Sequence, residues 1–143
     1  MDKITSSLLD TFSEQYELTR LDKSERFEHF SNFAIVSKLI RSTFDLEDIH
    51  TGAGNDCGID GIIISINGKI IDSVDSFNDF LPNCSYIDVD ILFIQSKTTS
   101  SFDGAQILNF CHGVKDFLTD PSTLPQNQKV QEIKQLWNEI LLH

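Results

Sequence analysis

The sequence predicts a single α/β domain in which a small mixed sheet of three strands is flanked by helices. The length of 143 residues suits one domain, and 40% hydrophobic residues suffice for a folded core. Apolar residues recur at helical spacing towards both ends of the chain, whereas β-branched runs separated by turn residues occupy the middle. Together these observations predict the element order α-α-β-β-β-α-α.

Two helices are predicted before the sheet. Apolar residues recur at every fourth position across residues 3–19, as on one face of an amphipathic helix. They are Ile4, Leu8, Phe12 and Tyr16. Asp22 followed by Glu25 is typical of a capped helix start, and the wide apolar stripe that follows predicts a second helix ending near Phe44.

Three strands are predicted in the middle of the chain. Residues 59–66 form a β-branched run, and Asn67-Gly68 is a strong hairpin signal because a type I′ turn needs positive φ at both central positions. Residues 69–73 are the return strand, and residues 74–86 are an insertion with room for one helical turn. Residues 87–95 are the third strand, which alternates at first and then becomes wholly apolar, as expected where a strand enters the centre of a sheet.

Two further helices are predicted after the sheet. Asp103 opens a helix that ends before the prolines, and an amphipathic helix occupies residues 127–143. A sheet of three strands followed only by helices looks unfinished, so we expect residues 1–143 to be the N-terminal part of a longer protein. Within this single domain we distinguish an N-terminal helix (1–22), a core (25–120) and a C-terminal helix (127–143).

The net charge of −11 argues against a broad nucleic-acid groove within this chain, since such a groove needs clustered Lys and Arg. Between Ser42 and Ser96 there is one basic residue, Lys69, against ten acids, so this stretch has a net charge of −9. The acids are Asp45, Glu47, Asp48, Asp56, Asp60, Asp72, Asp75, Asp79, Asp88 and Asp90. They are either solvated loop residues or, for one or two of them, ligands of a divalent cation.

The sequence also indicates where the protein works. No apolar run approaches the ~18 residues of a membrane helix, and the polar N-terminus does not resemble a secretory signal. The three cysteines, Cys57, Cys84 and Cys111, are widely spaced and do not suggest a disulfide framework. We therefore expect a cytoplasmic protein that makes no contact with a membrane.

Asp60, Gln95 and Lys97 are the residues best suited to carry chemistry. Asp60 stands beside glycines at the start of the first predicted strand, where its carboxylate can ligate Mg²⁺. Gln95 and Lys97 are two apart at the end of the third strand, so they point to the same face. A metal, a neutral oxygen ligand and a cation are the minimum parts for phosphodiester hydrolysis. From residue types alone, the alternative is that Asp60 caps a turn and Lys97 is an ordinary strand-end charge.

The sequence resembles the PD-(D/E)xK restriction-endonuclease-like superfamily, closest to the methyl-directed (Mrr-like) restriction enzymes, in three motifs on an α-β-β-β-α frame. These motifs are Glu28, Gly58-Ile59-Asp60-Gly61 and Gln95-Ser96-Lys97. A narrower resemblance, to the N-terminal domain of abortive infection phage resistance (AIPR) proteins, covers residues 25–120. It rests on Phe27-Glu28-His29-Phe30, Asn67-Gly68-Lys69, Phe93-Ile94-Gln95-Ser96-Lys97-Thr98 and Ser101-Phe102-Asp103. The resemblance implies a restriction-endonuclease-like core, although the fourth strand usual in that core is missing from the predicted elements.

The resemblance also implies roles for the site residues. The acid matching Asp60 binds the metal in that superfamily, and the lysine matching Lys97 assists the attacking water. Glu28 matches the acid of the first helix that often completes the metal shell, and Glu25 is the competing position. Gln95 stands where many members have a carboxylate. The metal ligands Asp60, Gln95 and Glu28 therefore carry one negative charge less than the ligands of those members, and we expect them to bind the metal more weakly.

The function implied by the resemblance is Mg²⁺-dependent (or Mn²⁺-dependent) cleavage of DNA within an antiphage defence protein. DNA would then be gripped mainly by regions outside this chain, with a homo-oligomer as a further possibility. Asp56, four residues before Asp60, is either a turn residue, which its loop position favours, or an acid behind the metal ligands. Two other functions are alternatives. One is a catalytically silent nuclease-fold module that mediates protein contacts. The other is an acidic protein that mimics the charge of DNA, but motifs confined to a few positions argue against it.

Overall fold

The structure, a computed structural model, describes residues 1–52, 54–99, 101 and 103–143. Over these residues the chain forms five α-helices and one sheet of three strands, which confirms the predicted α/β class. The helices are α1 (Lys3–Gln15), α2 (Lys23–Leu39), α3 (Val74–Phe80), α4 (Gly104–Leu118) and α5 (Gln128–Leu141). The strands are β1 (Gly61–Ile66), β2 (Lys69–Ile70) and β3 (Val89–Ile94), and short 3-10 helices occupy Leu46–Asp48 and Leu81–Asn83. None of the helices in this part of the chain has the length and apolar character that a bilayer crossing requires.

The sheet has the strand order β2-β1-β3, and both of its hydrogen-bonded pairs are antiparallel. The hairpin at Asn67-Gly68 joins β1 to β2 as predicted, with φ angles of 52° and 78° at its two central residues. β3 runs in the same direction as β2, but β1 lies between them, so the two parallel strands are not neighbours. The prediction of a mixed sheet is therefore wrong for the residues described.

The connection from β2 to β3 contains α3, a helix that the predicted order α-α-β-β-β-α-α lacks. Ser73 caps α3, because its side chain accepts a hydrogen bond from the Ser76 N–H. Phe77 in the middle of the helix is fully buried in the main core. The segment predicted as an insertion, residues 74–86, thus contains a helix that packs on one face of the sheet.

α1 packs against α2 through part of the predicted stripe, since Phe12 and Tyr16 both lie against the Phe33 ring. Leu9 and Phe12 are buried, and the Phe12 ring meets the Phe30 ring edge-on at a centroid distance of 5.4 Å. Ile4 and Leu8, which the predicted stripe places inward, are 74% and 54% exposed. A row of residues spaced by four drifts away from the packed face, because a helix turns once every 3.6 residues. Both helices also end several residues before their predicted limits.

Helices cover both faces of the sheet, so β1 is buried along its whole length. On one face Ile62, Ile64 and Ile66 pack with residues of α3, α4 and α5. On the other face Ile63 packs with Val36 of α2. The uninterrupted apolar run of β1 is explained by this burial on two sides.

The turn-rich segment before β1 is held in place by α4 and α5. Asn127, the N-cap of α5, donates through Nδ2 to the carbonyls of Thr51 at 2.9 Å and Gly54 at 3.0 Å. Gly113 of α4 lies so close to the Cys57 carbonyl that a Cβ at Gly113 would overlap it. These contacts fix the path of the chain into β1, where the predicted site begins.

Candidate functional site

Asp60 joins the beginning of β1 to the end of β3. Its backbone N–H donates to the Ile94 carbonyl at 2.8 Å, and its own carbonyl accepts from Asn32 Nδ2 at 2.9 Å. Its carboxylate oxygen Oδ2 accepts from the Ser96 N–H at 2.6 Å and lies 3.1 Å from the Ser96 hydroxyl oxygen. The Asp60 side chain is therefore held at the end of β3, directly beside the segment that carries Gln95 and Lys97.

Gln95 is tied to the same turn as Asp60. Its Nε2 donates to the Gly58 carbonyl at 2.9 Å, two residues before Asp60. That bond uses the amide nitrogen and leaves the amide oxygen Oε1 as the atom that can act as a neutral ligand. The structure thus brings two of the predicted site residues to one end of the β1–β3 pair.

Lys97 follows β3 and is partly buried. No carboxylate of the described residues lies within 4.0 Å of its ammonium, so Lys97 forms no ion pair with Asp60. The direct partner of the Asp60 carboxylate is instead Ser96, which was not a candidate from the sequence. Lys97 directly follows the residue that binds the Asp60 carboxylate, but among the described residues it forms no ion pair with Asp60.

Glu28 belongs to α2 and is oriented by His50. The His50 Nε2 and Glu28 Oε2 atoms lie 3.1 Å apart, and His50 is 7% exposed. The charge of Glu28 also acts on Asp60, since it helps to raise the pKa of that carboxyl. Glu25, the competing position, lies in the first turn of α2, where its N–H bonds to the Asp22 cap. Of the two acids, Glu28 is the one whose charge bears on Asp60.

The buried polar residues behind the site gave only one weak signal in the sequence. The rings of His29 and His50 stack with centroids 4.1 Å apart, and His29 is 2% exposed. Burial, followed by the neighbouring His50, lowers the pKa of His29 and so favours its neutral form. Asn32 is fully buried, and its Nδ2 donates to the Ile49 carbonyl at 3.1 Å as well as to Asp60. The one hint was spacing, since Asn32 lies one helical turn after Glu28 and thus on the same side of α2.

Asp56 acts as a turn residue. Its Oδ1 accepts a hydrogen bond from the Gly58 N–H at 2.8 Å, which is the arrangement of an Asx turn. This geometry agrees with the interpretation of Asp56 as a turn residue. The Asp56 charge is also the smallest of the named contributions that raise the pKa of Asp60.

The pKa of the Asp60 carboxyl is raised above its ordinary value. Burial is the main cause, the hydrogen bond from the Ser96 N–H opposes it, and the negative charge of Glu28 adds to it. A divalent cation would offset both the lost hydration and the repulsion, and carboxylate and amide oxygens are the ligands that hard cations prefer. Within the described residues, no three His, Cys, Asp or Glu side chains are grouped so as to hold a metal. Further ligands for a cation at Asp60 would therefore have to include Gln95, water or substrate oxygens.

Comparison with known proteins does not identify a family. No family model, curated protein or solved structure matches the chain. The resemblance to the AIPR N-terminal domain therefore stays a prediction from the motifs. One residue of those motifs, Phe102, lies outside the described residues.

Replacing Asp60 by asparagine is expected to stabilise the fold. Asp60→Asn keeps an oxygen acceptor for the Ser96 N–H and removes a buried charge beside Glu28. We expect the free energy of unfolding near neutral pH to rise by about 1 kcal/mol, as is common when a strained functional charge is removed. Because the folded-state pKa of Asp60 is raised, its contribution to wild-type stability is lost as the pH rises through that pKa. The advantage of the variant should therefore shrink as the pH falls towards about 3.9, the ordinary value for aspartate.

Urea denaturation across this pH range measures the effect. Asp79→Asn is the matched control, because Asp79 is an exposed acid on α3 and should change stability little at any pH. An Asp60→Asn variant that is less stable than the wild type at neutral pH would contradict the prediction, since it would mean that the carboxylate itself holds the β1–β3 junction together.

Proposed function

We propose that this domain is the metal-dependent endonuclease domain of an antiphage defence protein and that it hydrolyses phosphodiester bonds in DNA. The observation that carries the proposal is the part-buried Asp60 carboxylate at the β1–β3 junction, whose pKa the charge of Glu28 helps to raise and beside which Gln95 bonds to the Gly58 carbonyl. The motifs shared with AIPR and PD-(D/E)xK proteins support it, because they mark the same residues. The proposed assignment includes a restriction-endonuclease-like core.

Asp60, Glu28 and Gln95 would hold the metal, either Mg²⁺ or Mn²⁺. When bound, such an ion lowers the pKa of a water ligand and stabilises negative charge on a phosphate. Ser96 holds the Asp60 carboxylate by two contacts to Oδ2, which leaves Oδ1 as the oxygen for a ligand. His50 holds one oxygen of Glu28 in the same way. Each carboxylate is therefore fixed through one oxygen, and its other oxygen is available as a ligand for the metal ion.

Lys97 supplies the positive charge in the proposed mechanism. It has no carboxylate within 4.0 Å among the described residues, so its ammonium is not neutralised by an ion pair. Its role is to orient the attacking water and to stabilise the charge that develops on the phosphate. An ammonium without an ion-pair partner remains available to a phosphate that a metal at Asp60 would hold.

The net charge sets a condition on how DNA is held. A duplex carries one negative charge per ~1.7 Å, so a binding groove must neutralise several phosphates. This chain has a net charge of −11, and a bound metal offsets only two of those charges. The remaining cations must come from other regions of the protein or from another subunit, and we therefore propose that DNA is gripped outside residues 1–143.

Metal titration and DNA cleavage test the proposal. Calorimetry with Mg²⁺ and Mn²⁺ should show weak binding to the wild type, loss of binding in Asp60→Asn and no change in the control Asp79→Asn. In cleavage assays on the complete product of the reading frame, Asp60→Asn should abolish activity and Lys97→Ala should slow it by about 10²-fold or more without unfolding the protein. An active protein whose cleavage rate is unchanged by Lys97→Ala would show that this domain is not the catalyst.

The second candidate function is a nuclease-fold module that binds another protein and has no catalytic activity. It is favoured by one observation, an apolar groove beside β3 that is open to solvent. Metal binding separates the two candidates, since the interaction module does not require it.

A further inference from the structure

The short segment around His50, between α2 and β1, is bonded to the candidate site on both sides of the histidine. The Ile49 carbonyl accepts from Asn32 Nδ2 at 3.1 Å, and the Thr51 N–H donates to the Asp60 carbonyl at 3.3 Å. The same Asn32 nitrogen donates to the Asp60 carbonyl at 2.9 Å. Ile49 and Thr51 are fully buried. The backbone of His50 is therefore fixed relative to the backbone of Asp60.

The ring of His50 has little freedom to move. It is buried, and it stacks on the buried ring of His29 with 32° between the two planes. His29 belongs to α2, so the stack joins the His50 segment to that helix. A ring that has a fixed backbone and a second buried ring against it is confined to one orientation, because close packing leaves no room for another rotamer. The Nε2 atom of His50 is therefore held at a defined point beside α2.

The carboxylate of Glu28 lies at that point. Its Oε2 is 3.1 Å from His50 Nε2. An ionised carboxylate can only accept hydrogen bonds, so Nε2 carries a proton and donates it to Glu28. Within the described residues, His50 is the only hydrogen-bond donor to this carboxylate. The orientation of the Glu28 side chain, which is 24% exposed, therefore depends on one imidazole N–H.

A glutamate on the surface of a helix samples several rotamers, and a metal that binds it must offset the entropy lost when one rotamer is selected. Two carboxylates that share a cation also repel each other before the cation arrives. Without a donor, Glu28 would therefore turn towards solvent. With His50 in place, it stays on the side of α2 that Asn32 joins to Asp60.

We propose that His50 is a positioning residue for the metal site: it holds Glu28 in the ligating orientation before the metal binds and so raises the affinity of the site for the metal. This inference rests on the proposed function, because it takes Glu28 and Asp60 as metal ligands. Hydrogen-bond partners of this kind commonly contribute about 10-fold to 100-fold to metal affinity.

Calorimetric titration with Mn²⁺ of two variants at position 50 tests the proposal. His50→Leu removes the N–H, and it should weaken Mn²⁺ binding by about tenfold or more. His50→Gln also loses the stacked ring but keeps an N–H donor at the end of a side chain of similar reach, so it should bind Mn²⁺ more tightly than His50→Leu does. A role confined to packing would affect both variants alike. Urea denaturation shows whether the two variants are folded under the conditions of the titration.

A double-mutant cycle tests whether His50 acts through Glu28. Once Glu28→Gln has removed the carboxylate, adding His50→Leu should weaken Mn²⁺ binding by less than about twofold further. His143→Leu is the matched control for the loss of a histidine, because His143 is exposed and contacts Phe77 of α3. It should leave Mn²⁺ affinity unchanged. Nitrogen-15 NMR of the metal-free protein should show a proton on His50 Nε2, with a resonance that shifts in Glu28→Gln.

The outcomes separate this inference from the proposed function. Mn²⁺ binding that is lost in Asp60→Asn but unchanged in His50→Leu would overturn the positioning role and leave the proposed function standing. Equal affinities of His50→Leu and His50→Gln, additive effects of His50→Leu and Glu28→Gln, or a proton on Nδ1 instead of Nε2 would each overturn the positioning role as well. A wild-type protein that binds no Mn²⁺ would overturn the proposed function and this inference together.

Discussion

Replacing Gly113 by alanine is expected to lower the free energy of unfolding by about 3 kcal/mol, at the upper end of what overpacking usually costs. A Cβ at this position would overlap the carbonyl oxygen of Cys57 and lie 3.0 Å from its carbonyl carbon. Both are backbone atoms, so no side chain can rotate away to make room. α4 or the turn at residues 56–58 would have to move, and that turn leads directly into Asp60.

The experiment has an internal control on the same helix. Gly104→Ala places a Cβ in open space at the start of α4, and it should be neutral or slightly stabilising because alanine favours a helix more than glycine does. Chemical denaturation of both variants measures the difference. Equal stability of the two variants would contradict the prediction and would mean that α4 does not press against the turn in solution.

Replacing Asn32 by aspartate is expected to cost about 3–5 kcal/mol, although the two side chains have nearly the same shape. Asn32 is fully buried, and its Nδ2 donates to the carbonyls of Ile49 and Asp60. Asn32→Asp removes the donor and directs a carboxylate at two carbonyl oxygens close to the charges of Glu28 and Asp60. Burial would raise the pKa of the new carboxyl, so the loss of stability should be largest at neutral pH and smaller in acid.

Urea denaturation at neutral and acidic pH measures this effect. Asn78→Asp, an isosteric change at an exposed position of α3, is the matched control and should cost little at either pH. A variant Asn32→Asp that is as stable at neutral pH as Asn78→Asp would contradict the role given to Asn32. It would imply that water reaches the space between α2 and β1.

The sequence was a good guide wherever the determining interactions are local. Asp22 and Asp103 cap helices as predicted, because each accepts a hydrogen bond from a backbone N–H three residues later. Asn67-Gly68 forms the hairpin for a similarly local reason. α3 was not assigned as a full helix because seven residues are too few for a clear periodicity, and the burial of Phe77 decides its conformation. The antiparallel sheet was missed because strand direction depends on which strands become neighbours.

The residues of the candidate site were likewise only partly predictable from the sequence. Asp60 and Gln95 were found from their motifs, and the structure places both at one end of the β1–β3 pair. Ser96, His50 and Asn32 were not found, because each is identified only by a partner that is distant in the sequence. A serine between Gln95 and Lys97 looks like a spacer until the β1–β3 pairing brings its N–H to the Asp60 carboxylate.

The polar contacts at the two ends of β1 have a consequence for how the strands align. Because β1 has isoleucines on both faces, sliding it by one residue against β3 would exchange them between two apolar layers, so the isoleucines alone select the alignment only weakly. Gly61 adds a constraint, because a Cβ at its position would meet the Asn32 side chain at 2.8 Å. Asp60 bonds to Ser96 at one end, and at the other the Asn67 N–H donates to the Asp88 carbonyl at 2.9 Å while the Asn67 side chain accepts from the Asp88 N–H at 2.8 Å. These hydrogen bonds at the two ends of β1 therefore help to set its alignment with β3. A chain that lost both would be held in one alignment less strictly, and we expect it to become heterogeneous before it becomes unstable.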